Sequence, residues 1–166
     1  MESPIIVTEI AVNEWERLRK IRLASLLENP DAFGGTFDIE SNYSEDEWHN
    51  RIVKLDFLVA SKSKVDIAMM YIEVLNGDHG ATCWIGGCWS DPSYRGQGAL
   101  RALFDYLDKH AVAKEWMRQG LGVWTDNESA IKAYRALGFE DAGFRRESEK
   151  QPGRFYMHMI RDTLSK

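Results

Sequence analysis

The chain has 166 residues, and at roughly 100–200 residues per domain that length implies a single domain over 1–166, with its core between about 5 and 160. Hydrophobic residues make up 44% and charged residues 28%, which excludes a disordered, collagen-like or disulfide-scaffold chain. Lys plus Arg number 21 against 26 Asp plus Glu, a net charge of −5, and the longest apolar run, Ile67 to Ile72, has six residues; nucleic acid and membrane are therefore not expected as partners, since one favours a positive surface and the other needs about 20 apolar residues.

Met1-Glu2-Ser3-Pro4 places no basic segment before Ile5-Ile6-Val7, so the start of the chain is not expected to be a secretory leader, and a cytoplasmic location is expected. Ile5 to Ile10 reads as a first strand. Trp15, Leu18, Ile21 and Ser25, with Leu26 and Leu27, then recur at helical spacing, with Asn13 as the expected N-cap and Pro30 as the stop. From Pro30 to Tyr43 turn formers predict a loop carrying Phe33 and Phe37. Ser44 followed by Glu47 has capping-box spacing and opens a second helix through Ile52.

Phe57 to Ala60 and Val65 to Val74 are rich in β-formers and are joined by the polar turn Ser61 to Lys64; after Asn76 to Gly80, Ala81 to Ser90 completes an antiparallel meander. Gly86-Gly87 inside that last strand predicts a bulge or a close backbone approach. A helix follows directly on Arg95-Gly96-Gln97-Gly98, with Leu100, Leu103, Phe104, Leu107 and Ala111 on one face. Leu121 to Thr125 reads as a strand, Asp126 or Asn127 caps a further helix that Gly138 ends, and Phe139 to Phe144 and Arg154 to Ile160 are closing strands. The order β-α-α-β-β-β-α-β-α-β-β gives an α+β, or mixed α/β, fold.

Cys83 and Cys88 lie five apart in one strand, on opposite faces if it is regular, and read as small buried hydrophobes; a disulfide or a nucleophile are the rival readings. The four histidines show no ligand spacing with one another or with the cysteines, so no metal is expected.

A strand, a glycine turn and a helix around Arg95 to Ala99 form the arrangement that cradles a phosphate on free backbone N–H groups, although Gly96 and Gly98 could equally serve only a tight turn. Neither GxxxxGK[ST] nor GxGxxG is present, which removes nucleoside triphosphate and Rossmann dinucleotide sites. Asn127 and Tyr134 stand seven residues apart on one helical face and could flank a ligand; as a cap and a rim aromatic they would not.

Together these stretches resemble the GCN5-related N-acetyltransferase family. Asp91 to Leu103 looks like its acetyl-CoA motif, Arg/Gln-x-x-Gly-x-Gly/Ala, and Thr125 to Phe139 looks like its second motif, Asn-x-x-Ala-x-x-x-Tyr-x-x-x-Gly-Phe. Leu100 departs from the pattern, standing where the family has Gly or Ala. The resemblance implies a central, mostly antiparallel twisted sheet flanked by helices, and an N-acetyltransferase that uses acetyl-CoA as co-substrate. It implies that Arg95, Gly96, Gln97, Gly98, Ala99, Leu100, Asn127 and Tyr134 bind that co-substrate, and that the backbone of Cys88, Trp89 and Ser90 pairs with its pantetheine. It also implies that the Gly86-Gly87 irregularity aids oxyanion stabilisation, and that Tyr134 protonates the leaving thiolate.

The general base is open among Glu40, Glu45, Glu47 and Glu73. For the acceptor, Phe33, Phe37, Glu40 and Glu73 are the candidate substrate residues, and the acids and aromatics between the first two helices would suit a cationic amine of a small molecule or peptide. A solvated acidic helix start explains Glu45 to Glu47 equally well. A non-catalytic acyl-CoA-binding module on the same fold, or transfer of another acyl group, are the alternatives, and exposed edges could pair two chains as a homodimer.

Overall fold

The computed structural model describes residues 3–163. Its strands are β1 (Ile5–Glu9), β2 (Asp56–Lys62), β3 (Val65–Val74), β4 (Cys83–Ser90), β5 (Arg118–Trp124), β6 (Glu140–Glu147) and β7 (Phe155–Asp162). Its helices are α1 (Trp15–Glu28), α2 (Phe37–Glu40), α3 (Glu45–Lys54), α4 (Ala99–Lys109), α5 (Ala111–Lys114) and α6 (Glu128–Ala136). The hydrogen-bonded strand order is β1-β2-β3-β4-β5-β7-β6, a mostly antiparallel seven-stranded sheet in which β4 and β5 run parallel. Two compact units divide inside β4: residues up to Glu73 with Gly87–Tyr106, and Val74–Gly86 with Leu107 onward.

In the first unit, β2 pairs antiparallel with both β1 (Val7 opposite Ala60) and β3 (Val59 opposite Met69). Ser63 and Lys64, at φ 51° and 67°, make the two-residue β2–β3 turn. Two successive left-handed residues match the strand twist, so the strands run two residues further than their apolar runs suggest, into Ser61 and Lys62. One sheet face carries Phe57, Val59 and Met69, packed with Leu18 and Ile21 of α1 and Trp48 of α3. Leu58, Ala60, Ala68 and Met70 are fully buried on the opposite face. Covering on both faces is why these strands are written as continuous apolar runs with no alternation. Tyr106 of α4 donates to Glu9 of β1 at 2.7 Å.

In the second unit, β5 pairs antiparallel with β7 (Gly122 opposite His158), and β7 with β6, whose register shifts between Asp141 and Arg145. Leu121, Val123, Met157, Met159 and Phe139 are buried there. Arg161 is also buried; it pairs with Asp108, donates to the Leu137 carbonyl and lies over the Phe139 ring. This neutralised cation carries its charge into the core without leaving it uncompensated.

Four expectations change. Asn13 does not cap α1: residues Val12–Glu14 form a 3-10 turn and Glu14 occupies the cap position without a side-chain bond. The loop from Pro30 to Tyr43 holds the one-turn helix α2, because the Thr36 hydroxyl accepts from Ile39 N–H and supplies the N-cap that the glycines before it obscure. The helix after the glycine turn breaks at His110, and a separate turn, α5, ends on Glu115 at φ 63°. Cys83 is buried, but Cys88 is half-exposed.

Candidate functional site

After β4, the Asp91 carboxylate accepts from Ser93 N–H at 2.9 Å and turns the chain through Pro92–Tyr94. Arg95 is extended, and Gly96 and Gly98 follow at φ 80° and 88°. A Cβ at either glycine would meet nothing within 4 Å. Glycine is required there by the left-handed backbone and not by crowding, and the space stays open to a ligand. Gly98 accepts from Ala102 N–H as α4 begins, so the N–H groups of the first turn have no partner within the helix. Arg95 to Gly98 are exposed, Ala99 is buried and Leu100 is half-buried.

Three long-range bonds brace this turn, none of them legible in the sequence. Glu28, the last residue of α1, accepts from Arg95 at 2.8 Å and from Trp89 Nε1 at 3.3 Å. Lys62 donates to the Gln97 side chain at 2.7 Å. Trp89 is 7% exposed, and Ser90 is half-exposed.

Gly87 lies in β4 at φ 62°. A Cβ there would stand 2.9 Å from the Tyr71 ring and 3.3 Å from Arg22 Nη1, so backbone and side chains meet at this point with no side chain between them. Tyr71 is largely buried, and that burial raises its hydroxyl pKa against the lowering influence of Arg22 and Arg51. Glu73, two residues further along β3 and on the same face, is exposed.

Beside Gly87 lies a buried charge network. Arg22 bonds both oxygens of Glu40, Nε to Oε1 at 2.9 Å and Nη2 to Oε2 at 3.1 Å, and Arg51 Nη1 donates to Oε1 at 2.6 Å. Burial alone would raise the Glu40 pKa; the bonds and charges of Arg22 and Arg51 outweigh it and hold the carboxylate ionised below its ordinary range. A carboxylate so committed is a poor proton acceptor. The nearby aromatics are likewise occupied. Phe33 lies 5.1 Å from the Arg22 guanidinium, and Arg51 sits over Tyr43, Trp48 and Phe57 at 5.5–5.8 Å. Three of the residues expected near a cationic amine, Glu40, Phe33 and Tyr43, are thus in contact with the protein's own arginines. Phe37, on α2, is half-buried.

In the second unit, Asn127 caps α6: its side-chain oxygen accepts from Ala130 N–H at 3.2 Å and from the Ser129 hydroxyl at 3.2 Å. Two turns on, Tyr134 is half-exposed and packs edge-on against Phe139, with ring centres 5.8 Å apart. Gly138, at φ 99°, ends the helix. The same unit joins His79 to His158, nitrogen to nitrogen at 3.2 Å, inside a ring cluster with Trp84, Phe144 and Tyr156. These histidines come together only because the β3–β4 turn folds beside β7, and no local spacing announces it. Among the described residues, no group of three or more His, Cys, Asp or Glu side chains is placed to hold a metal, and no helix is long and apolar enough to cross a membrane.

A sequence profile described as the Acetyltransferase (GNAT) family matches residues 15–139. The N-alpha-acetyltransferase RimI of Mycobacterium tuberculosis is 35% identical over 77 residues, 44% of this chain and 44% of that protein. The matched stretches span less than half the length of the curated relatives. A GNAT acetyltransferase structure from Streptococcus pneumoniae superposes with a TM-score of 0.77 at 16% identity, covering 97% of this chain and 100% of that one. The yncA protein of Salmonella typhimurium, solved with acetyl-CoA, gives a TM-score of 0.72 at 14% identity, covering 99% of this chain and 96% of that one. At these identities the superpositions establish the fold, while the profile spans both glycine turn and second motif; the chain belongs to the GNAT acetyltransferase family.

Proposed function

We propose that the protein transfers the acetyl group of acetyl-CoA to a primary amine by direct attack within a ternary complex. The observation that carries this reading is the turn Arg95 to Gly98: two left-handed glycines over open space, followed at once by the first turn of α4, whose N–H groups have no acceptor within the helix. That surface suits a diphosphate, because the amides and the positive helix end complement its charge. Arg95, Gly96, Gln97, Gly98, Ala99 and Leu100 hold the diphosphate end, the backbone of Cys88, Trp89 and Ser90 pairs with the pantetheine amides, and Asn127 completes the cofactor-binding set.

Acetyl-CoA supplies an activated thioester. In this reading a backbone N–H at the left-handed Gly87 polarises the thioester carbonyl. Holding amine and thioester together provides much of the rate. Glu73, the carboxylate that stays exposed on β3, takes the amine proton directly or through water, and the Tyr134 hydroxyl returns a proton to the departing thiolate. An α-amine is the favoured acceptor, because the M. tuberculosis relative is named for N-alpha-acetylation.

The test is a thermal melt with saturating acetyl-CoA against ATP and NAD. A ligand at 100 times its Kd stabilises by about 2.7 kcal/mol, and a rise with acetyl-CoA alone, followed by amine-dependent CoA release, is the expected result. No shift with acetyl-CoA overturns the reading; a shift without release from any amine reduces it to an acyl-CoA-binding module.

A further inference from the structure

The apolar side of α1 carries one cation. Leu18, Ile21, Ser25 and Leu26 are buried as helical periodicity requires, and Arg22 is buried among them. Its side chain is 5% exposed, that of Glu40 4% and that of Arg51 22%. Two guanidinium groups share one carboxylate, which leaves one positive charge uncompensated within the network. A charge removed from water needs a partner, and a buried N–H needs an acceptor.

Arg22 makes the deficit specific. Nε and Nη2 are used by Glu40, whereas Nη1 is buried with no hydrogen-bond partner. A Cβ on Gly87 of β4 would stand 3.3 Å from that nitrogen and 2.9 Å from the Tyr71 ring, so Arg22 Nη1, the Tyr71 ring and the bare Gly87 backbone meet with no side chain between them. The cover over the guanidinium is Phe33, half-exposed, which is followed by Gly34-Gly35 in the stretch before Thr36. A polar group that reaches this nitrogen meets an unsatisfied cationic donor next to Gly87, on the strand to which the proposed function assigns the thioester carbonyl.

We infer that Arg22 Nη1 receives the carboxylate of the acceptor, so that the substrate is an α-amino acid with its carboxylate free. The carboxylate removes the excess charge and satisfies the orphan donor in one contact, and a charged acceptor makes the stronger bond. In an α-amino acid the amine is separated from that carboxylate by a single carbon, which keeps it beside Gly87 and Cys88, where acetyl transfer takes place. This assignment rests on the acetyltransferase reading above.

The test compares the common α-amino acids with their α-carboxamides, which keep the amine and lose only the negative charge. CoA release is followed at saturating acetyl-CoA, and melting shifts are recorded with each acceptor alone. The free amino acid is expected to exceed its carboxamide in kcat/KM by about tenfold or more, the loss typical of a hydrogen bond to a charged group. Arg22→Met should erase that preference while the acetyl-CoA melting shift persists. Equal kcat/KM for acid and amide in the native protein overturns the assignment, as does a peptide N-terminus turned over as fast as the free amino acid; both stand even if Arg22→Met does not fold. If acetyl-CoA gives neither shift nor release, the acetyl-transfer reading fails by itself, and the amino-acid melting shift, expected to exceed that of the carboxamide, then decides the carboxylate site alone.

Discussion

Glu28 and Arg95 join the end of α1 to the glycine turn, carboxylate to guanidinium at 2.8 Å, with the arginine side chain 55% exposed. A diphosphate bound at the turn, as proposed, would compete with Glu28 for the same cation. Glu28→Gln should therefore tighten acetyl-CoA binding a few-fold and change stability by less than about 1 kcal/mol, as for an exposed pair. Calorimetric titration of the two proteins checks this, and weaker binding by the variant would show that Glu28 orients Arg95.

Gly98 holds φ 88° in open space, so a side chain there meets strain but no clash. Gly98→Ala should cost about 1–2 kcal/mol of stability from the left-handed backbone. Gly98→Glu adds bulk and negative charge where the proposed function places the diphosphate, and should in addition weaken acetyl-CoA binding more than tenfold, by about 1.4 kcal/mol or more. Equal affinities for the Ala and Glu variants would move the diphosphate away from this turn.

Tyr134 packs its ring edge against Phe139, and Tyr134→Phe keeps that contact while removing only the hydroxyl. A general acid contributes typically about 10²–10⁴-fold, so kcat should fall by about that factor with the acetyl-CoA Kd unchanged. An unaltered kcat in steady-state assays takes the acid role from Tyr134.

A Cβ on Gly35 would land on the Glu40 carboxylate. Gly35→Ala must push that carboxylate off Arg22 or shift the loop, and overpacking of this kind costs about 1–3 kcal/mol. Chemical denaturation should show the loss; Gly34→Ala, where a Cβ meets nothing within 4 Å, is the control and should leave stability nearly unchanged.

Burial, followed by the neighbouring His79, lowers the pKa of His158 below its usual 6.5. The folded state then disfavours the protonated ring more than the unfolded chain does. The stability from the neutral ring is fully present above the unfolded pKa and is lost as pH falls from there through the folded value. The melting temperature should decline across that acidic window, and His158→Gln should flatten the decline. A native profile with the same slope as the variant's would remove His158 as the cause.

The two motifs were legible because they are local. Left-handed glycines before a helix, and an Asn cap seven residues ahead of a Tyr, follow from backbone and helical preferences within a few residues of each other. The loop with α2 was harder, since one hydroxyl bond from Thr36 outweighs the glycines beside it.

The order of the strands and of the four longer helices, the glycine turn and the α6 stripe were determined by the sequence itself, because turn sterics, capping and apolar periodicity act over short stretches. The partners of its charges were decided only by tertiary structure. Glu40 meets Arg22 and Arg51 from 18 and 11 residues away, and Glu28 meets Arg95 from 67. Glu40 reads from the sequence as one acid in a cluster, and packing places two guanidiniums on that carboxylate. The sign of the charge left over depends on which long-range neighbours the fold brings together, which composition does not encode.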